Sequence, residues 1–118
     1  NSSSEPIYEQ IKKAIKQAIY TNELKEEEIL PSVRVLANDL KISFLTVKKA
    51  YDELEAEGFI KTVQGKGSYV LPKNLELLRE EKLKELEKNI STVVKLSKIY
   101  GITEEEVINL IKIMFEED

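Results

Sequence analysis

Between residues 6 and 20 the apolar residues Ile7, Ile11, Ala14, Ile15, Ala18 and Ile19 recur at spacings of three and four, the stripe of an amphipathic helix. Ser4 is placed to cap that helix, with Pro6 tolerated in its first turn. Polar residues then break the pattern: Asn22 and the Glu26-Glu27-Glu28 run read as a loop over residues 21–30, and Pro31 restricts Leu30 to an extended conformation. Ser32 is a good N-cap for a short second helix with Val33, Leu36, Ala37 and Leu40 on its apolar face. Lys41-Ile42-Ser43 reads as a tight turn. A third helix starts at Ser43 or Phe44, turns Val47, Ala50, Tyr51 and Leu54 inward, and ends at Gly58 as a left-handed terminator.

Beyond Gly58 the period changes. Phe59-Ile60-Lys61-Thr62-Val63 and Ser68-Tyr69-Val70-Leu71 are short, β-branched and aromatic, and Gln64-Gly65-Lys66-Gly67 between them predicts a hairpin with a glycine-rich tip. Pro72, which cannot donate into a ladder, ends the second strand. The remainder is rich in Leu, Glu and Lys. Leu83, Leu86, Ile90, Val93 and Tyr100 lie on a three-four seam with Ser97 as its polar member, and Leu75 and Leu78 extend it upstream. Gly101 stops that helix. Thr103 and Glu106 form a capping box for a last one, which carries Val107, Leu110, Ile111 and Met114 on one side, widened by Ile108 and Phe115.

The order predicts a mainly α protein with a small β-hairpin: a winged helix-turn-helix over residues 5–72, then a two-helix tail over residues 73–118. Two helices cannot hide so much apolar surface against each other alone. A second copy is the expected cover, giving a homodimer joined through Leu83, Leu86, Ile90, Val93, Val107, Leu110, Ile111, Met114 and Phe115.

A length of 118 residues allows one small domain, or one with an appendage, and excludes large multidomain enzymes. Without Cys or His there is no disulfide, thiol nucleophile, ordinary zinc site or imidazole-based triad, so no metal or cofactor is expected. No apolar run exceeds three residues, which predicts neither a membrane span nor a signal peptide and makes the cytoplasm the expected compartment.

The net charge of −4 argues against a polyanionic partner until its distribution is considered. Residues 40–51 hold Lys41, Lys48 and Lys49 and no acid; residues 58–75 hold Lys61, Lys66 and Lys73 and no acid. Asp52, Glu53, Glu55 and Glu57 lie between, so a basic surface requires folding to separate them from the lysines. On the third helix Leu45, Thr46, Lys48 and Lys49 point away from the inward stripe, near the N-terminus where a recognition helix meets base edges. Lys bonds guanine acceptors or phosphate; Thr offers a hydroxyl to phosphate or a methyl to thymine. At the hairpin tip Gly65 and Gly67 let the backbone approach a polyanion, Lys66 projects a cation and Gln64 adds an amide. Taken singly, a Gly-Lys-Gly tip is a soluble turn and a Lys pair a solvated face. Together, in winged-helix order, they address one duplex.

Several motifs carry a family resemblance in order and spacing. Pro6-Ile7-Tyr8-Glu9-Gln10-Ile11, Leu30-Pro31-Ser32-Val33-Arg34-Val35-Leu36-Ala37, Thr46-Val47-Lys48-Lys49-Ala50-Tyr51, Leu54-Glu55-Ala56-Glu57-Gly58-Phe59-Ile60 and Gly65-Lys66-Gly67-Ser68-Tyr69-Val70 resemble the GntR family of bacterial transcription regulators. The short tail is similar to that of its YtrA-like subfamily. The resemblance implies a homodimer on a palindromic double-stranded operator, usually as a repressor, often near transporter genes. It assigns DNA contacts to Arg34, Thr46, Lys48, Gly65 and Lys66, with Ser32 capping the second helix and within reach of a phosphate. Lys48 and Lys49 stand where members often have Arg, which removes a bidentate guanine fork. Phe44-Leu45 replace polar residues or Pro-Asn, leaving two readings open: contact with thymine methyls, or packing on the first helix. Asn22 and Lys25-Glu26-Glu27 replace a Gly-containing loop.

A winged-helix protein-interaction adaptor without DNA binding is the alternative, supported by the net acidic charge but leaving the two acid-free windows unexplained. An enzyme would rest on Glu26-Glu27-Glu28 or Glu104-Glu105-Glu106, yet the first lies in a loop and the second offsets the macrodipole of a helix start. Gly65-Lys66-Gly67-Ser68 lacks the upstream glycine and following helix of a phosphate-binding loop. The signal is left open among a small-molecule effector in the dimer groove, a protein, and abundance alone.

Overall fold

The computed structural model describes residues 4–72 and 75–117. Lys73 of the second basic window falls outside them. The chain forms two compact units, Asn1–Leu75 and Glu76–Asp118.

In the first unit, α1 (Ile7–Tyr20) and α2 (Val33–Leu40) both pack on α3 (Phe44–Ala56), and β1 (Ile60–Val63) follows and lies against α3. β1 pairs antiparallel with β2 (Gly67–Val70) in the register Ile60↔Val70, Lys61↔Tyr69, Thr62↔Ser68 and Val63↔Gly67. The core sits on α3. Val47, Ala50, Tyr51 and Leu54 are buried, joined by Ile11, Ile19, Leu30, Ala37, Phe59, Ile60 and Val70. Spacings of three, four and seven put the α3 set on one face, as the sequence pattern requires. Lys41 closes α2 in the left-handed conformation at φ +57°, and Gly58 at φ +88° follows the end of α3.

Several expectations need correction. Ser4 does not cap α1: Pro6, extended at φ −56° and ψ 150°, occupies the N-cap position with no side-chain cap, so the helix opens at Ile7. Ile7 and Ala14 are exposed on α1, and Leu40 is exposed on α2, because contact with α3 covers only a narrow stripe of each helix. β1 starts one residue later than expected and β2 is shifted by one residue, from 68–71 to Gly67–Val70, with the Leu71 N–H still donating to the Phe59 carbonyl at 3.0 Å just beyond the paired residues. Residues 27–30 are more than a loop. Glu27 N–H donates to the Val70 carbonyl (2.8 Å), Val70 N–H to Glu28 (3.0 Å) and Leu30 N–H to Ser68 (2.8 Å), so Ile29 bridges Tyr69 and shields the free edge of β2.

A charged group completes the α1–α3 contact. Lys12 is only 7% exposed, and its Nζ lies 2.8 Å from Glu53 Oε1 and 2.7 Å from Glu57 Oε2, while Lys16 Nζ is 2.7 Å from Glu57 Oε1. Burial by itself would lower the Lys12 pKa, but its hydrogen bonds to the two carboxylates and their charge hold it above the usual lysine range. Burial would likewise raise Glu57; the hydrogen bonds from Lys12 and Lys16 and their charges override it and hold Glu57 below its ordinary 4.5. The Glu57 contribution to stability is present above pH 4.5 and lost as pH falls through the carboxylate range. That of Lys12 is present below its ordinary 10.5 and lost only as pH rises beyond it. Lys12→Met is expected to lower stability by roughly 1–3 kcal/mol, between the values for exposed and fully buried pairs. It should also flatten the acid limb of stability against pH. Urea unfolding between pH 3 and 8 checks both; an unchanged midpoint with an unchanged acid limb would remove the network from the stability account.

The second unit holds most of α4 (Leu75–Tyr100) and α5 (Glu104–Glu116). Gly101 at φ +67° ends α4, with the Ile102 N–H donating back to the Ser97 carbonyl at 2.9 Å. The capping box at Thr103 and Glu106 is present in both directions. Ser97, the polar member of the seam, is buried and satisfied by donating to the Val93 carbonyl at 2.8 Å. The described residues of α4 and α5 share no extended packing with each other. Leu83, Leu86, Ile90, Val93, Leu110, Ile111, Met114 and Phe115 are exposed, Phe115 by 85%, and Val107 is half-buried.

Candidate nucleic-acid interface

The start of α3 is fixed from beneath. Tyr51, 3% exposed, donates its phenolic hydrogen to the Pro31 carbonyl at 2.7 Å, tying α3 to the residue before the cap of α2. Burial pushes its pKa up to about 12, so the hydroxyl stays a donor throughout the neutral range. Ser32 Oγ accepts from the Val35 N–H at 3.1 Å, as expected of a cap, and its side chain is exposed, with a rotatable hydroxyl hydrogen that is not used in that bond. Ser43 Oγ accepts from the Leu45 N–H at 3.1 Å and opens α3.

Arg34 is exposed on α2, and its guanidinium carbon lies 5.8 Å from the centroid of the Phe44 ring, a cation–π distance. The first residue of α3 therefore carries the cation contributed by α2. Thr46 is half-buried, with its N–H on the Ser43 carbonyl at 3.1 Å. Lys48 is exposed and pairs with Asp52 one turn on, Nζ to Oδ2 2.8 Å. Such a pair is worth at most about 1 kcal/mol and exchanges readily for a stronger anion. Lys49 behaves differently from its neighbour: its Nζ sits 4.1 Å over the Tyr8 ring, held against α1.

Folding resolves the acidic stretch. Glu53 and Glu57 are engaged by Lys12 and Lys16, the Glu55 carboxylate accepts from the Thr62 N–H at 3.3 Å, and Asp52 holds Lys48. The acid-free half of α3 keeps Phe44, Leu45, Lys48 and Lys49 exposed.

The hairpin tip is built by backbone geometry. The Lys66 N–H donates to the Val63 carbonyl at 2.9 Å, a turn whose third residue, Gly65, has φ +85°, a region that favours glycine. Gln64, Gly65 and Lys66 are all exposed there. The Thr62 and Ser68 hydroxyls bond across the ladder at 2.7 Å, and the Phe59 N–H donates to the Leu54 carbonyl at 3.0 Å, so the hairpin springs directly from the end of α3.

Of the residues expected to contact DNA, Ser32, Arg34, Lys48, Lys49, Gln64, Gly65 and Lys66 are exposed and Thr46 is half-buried; sequence reasoning did not show what holds them. It missed Tyr8 under Lys49 and Lys12 behind α3. Lys12 had one signal, a charge beside Ile11 and one residue from the apolar stripe; Tyr8 had none. Among the described residues no group of acidic side chains could hold a metal ion, and no helix is long and apolar enough to cross a membrane.

A two-helix unit with a supported third helix, closed by a hairpin with a cationic tip, is a winged helix-turn-helix, a fold that presents its third helix to a duplex. Residues 7–70 match the model of the bacterial regulatory proteins of the gntR family, and this chain belongs to that family. It is 36% identical to the HTH-type transcriptional repressor YtrA of Bacillus subtilis (strain 168) over 110 residues, 93% of this chain and 85% of that protein. The match thus extends through the tail. Among solved structures it is similar to a GntR family transcriptional regulator from Listeria monocytogenes, with a TM-score of 0.77, 33% identity, and coverage of 95% of this chain and 97% of that one. It is also similar to AraR(DBD) in complex with operator ORR3, with a TM-score of 0.55, 27% identity, and coverage of 59% and 84%. The family and these relatives are transcriptional regulators, not enzymes.

Proposed function

We propose that this chain is a sequence-specific, double-stranded DNA-binding repressor that acts in the cytoplasm as a homodimer on a palindromic operator. Residues 5–72 bind DNA and residues 73–118 join the two copies. One observation carries this reading: the carboxylates on the second half and C-cap of the recognition helix are engaged by Lys12, Lys16, Thr62 and Lys48, while the first half of that helix is free of acid and its first residue, Phe44, bears the Arg34 guanidinium. The operator complex of a similar domain supports it. Arg34, Thr46 and Lys48 enter or border the major groove, Ser32 donates to a phosphate, and Gln64, Gly65 and Lys66 grip the flanking backbone. Lys49 assists from the side of α1. Half-sites lie roughly one helical turn apart or a little more, about 10 bp or above.

Selection of bound fragments from a random-sequence duplex pool, with sedimentation to fix subunit number, tests the reading. A recovered palindrome and a two-copy particle support it; recovery of no duplex replaces it with the adaptor function. Within this scheme Lys66→Ala should weaken binding to all duplexes by the same factor and lower the salt slope by about 2 per dimer, one phosphate per copy. If base preference changes instead, the wing assignment is wrong.

A further inference from the structure

We propose that Leu45 is a specificity-determining residue that reads the 5-methyl group of thymine. The inference rests on the duplex-binding function proposed above and goes further by naming a base feature.

Leu45 is 72% exposed on the first turn of α3, whereas Val47, two residues on, is fully buried. A large apolar side chain with so much free surface is not packing on α1. Phe44 has a different task, since its ring, 44% exposed, carries the Arg34 guanidinium at 5.8 Å. Among the described residues, Leu45 is the exposed large apolar side chain of α3 that has no ring contact to a cation.

The chemistry of the major groove then restricts what Leu45 can meet. Base edges there present carbonyl and ring-nitrogen acceptors, amino donors and one apolar group, the thymine methyl. Against an acceptor or donor, a leucine removes water and returns no hydrogen bond, which is unfavourable. Against the methyl it buries two apolar surfaces at once. A leucine presented to the groove at this turn therefore selects thymine by attraction and disfavours the other edges by desolvation.

The duplex recovered by selection with the wild-type chain provides the probe, with each thymidine replaced in turn by deoxyuridine, which lacks only the methyl. At least one replacement in each half-site should weaken wild-type binding about fourfold, the factor associated with burying one carbon group. Leu45→Ala should bind the thymidine and deoxyuridine duplexes alike, and Leu45→Met, apolar and of similar reach, should keep the discrimination. Because Leu45 is exposed, the unfolding midpoint of both variants should match that of the wild type. Phe44→Leu should weaken binding to every duplex through Arg34 and leave the thymidine-to-deoxyuridine ratio unchanged. The proposal is overturned if no thymidine position is sensitive to its methyl, if Leu45→Ala retains the discrimination, or if the ratio changes with Phe44→Leu. Failure of the wild type to bind any duplex would instead overturn the DNA-binding function itself, and this inference with it.

Discussion

Raising salt from 50 to 200 mM is expected to weaken operator binding by on the order of 10³-fold, the loss for a protein that neutralises about six phosphates. The number follows from the cations that the proposed function assigns to the duplex. Arg34, Lys48 and Lys66 are exposed and reach the duplex from each copy, giving six in the proposed dimer, whereas Lys49 is drawn over the Tyr8 ring and Lys12 and Lys16 are bound to Glu57. Lys48 first exchanges Asp52 for a phosphate, a small loss for an exposed pair on one helix face. The net charge of −4 does not oppose this, because a salt slope counts ions displaced from the duplex at the contact and not the sum over the protein. Fluorescence anisotropy with the selected duplex at five salt concentrations measures the slope directly. A slope corresponding to fewer than about three phosphates would mean that the wing or the third helix does not touch DNA.

Periodic and local features were legible in the sequence because their causes lie within a few residues. Val47, Ala50, Tyr51 and Leu54 share a helix face by spacing alone, Ser32 caps through its own hydroxyl, Thr103 and Glu106 bond each other across three positions, and Gly65 sits where the turn requires positive φ. What escaped depends on partners far along the chain. The bridge of Ile29 to Tyr69 comes from a segment with no alternation, closed by Glu27 at φ +68°, and its hydrogen bonds exist only because β2 offers an edge there. The same holds for the candidate interface. That Lys49 stacks on α1 and Arg34 is carried by Phe44 follows from how α1 and α2 pack on α3, whereas the Lys48–Asp52 pair, four residues apart on one helix, lies within reach of spacing alone. The acidic run at residues 52–57 looked like an obstacle to DNA binding until Lys12, a charge beside an apolar stripe, was placed within reach of two of its carboxylates.

Ile90→Glu is expected to convert the two-copy particle into a monomer and to lower operator affinity by about 10²–10⁴-fold, the advantage that linking two binding modules provides. Ile90 lies on the seam of α4 and is 48% exposed in the single chain, so glutamate there meets water and, as a good helix former, should leave the folded monomer within about 0.5 kcal/mol of the wild type. In the proposed dimer the same side chain would lie between apolar faces that include Leu86 and Val93, exposed in the single chain, where an unpaired carboxylate is strongly disfavoured. Stability and assembly therefore separate at this position. Unchanged helix content by circular dichroism, a halved mass in sedimentation and lost affinity for the full palindrome, with weak binding to a single half-site retained, is the expected set of results. Each recognition helix would still read its half-site, since Arg34, Leu45 and Lys48 belong to the other compact unit. An Ile90→Glu protein that stays dimeric, or a monomer that binds the full operator as tightly as wild type, would remove the tail from the mechanism and leave the spacing of the two helices without a cause.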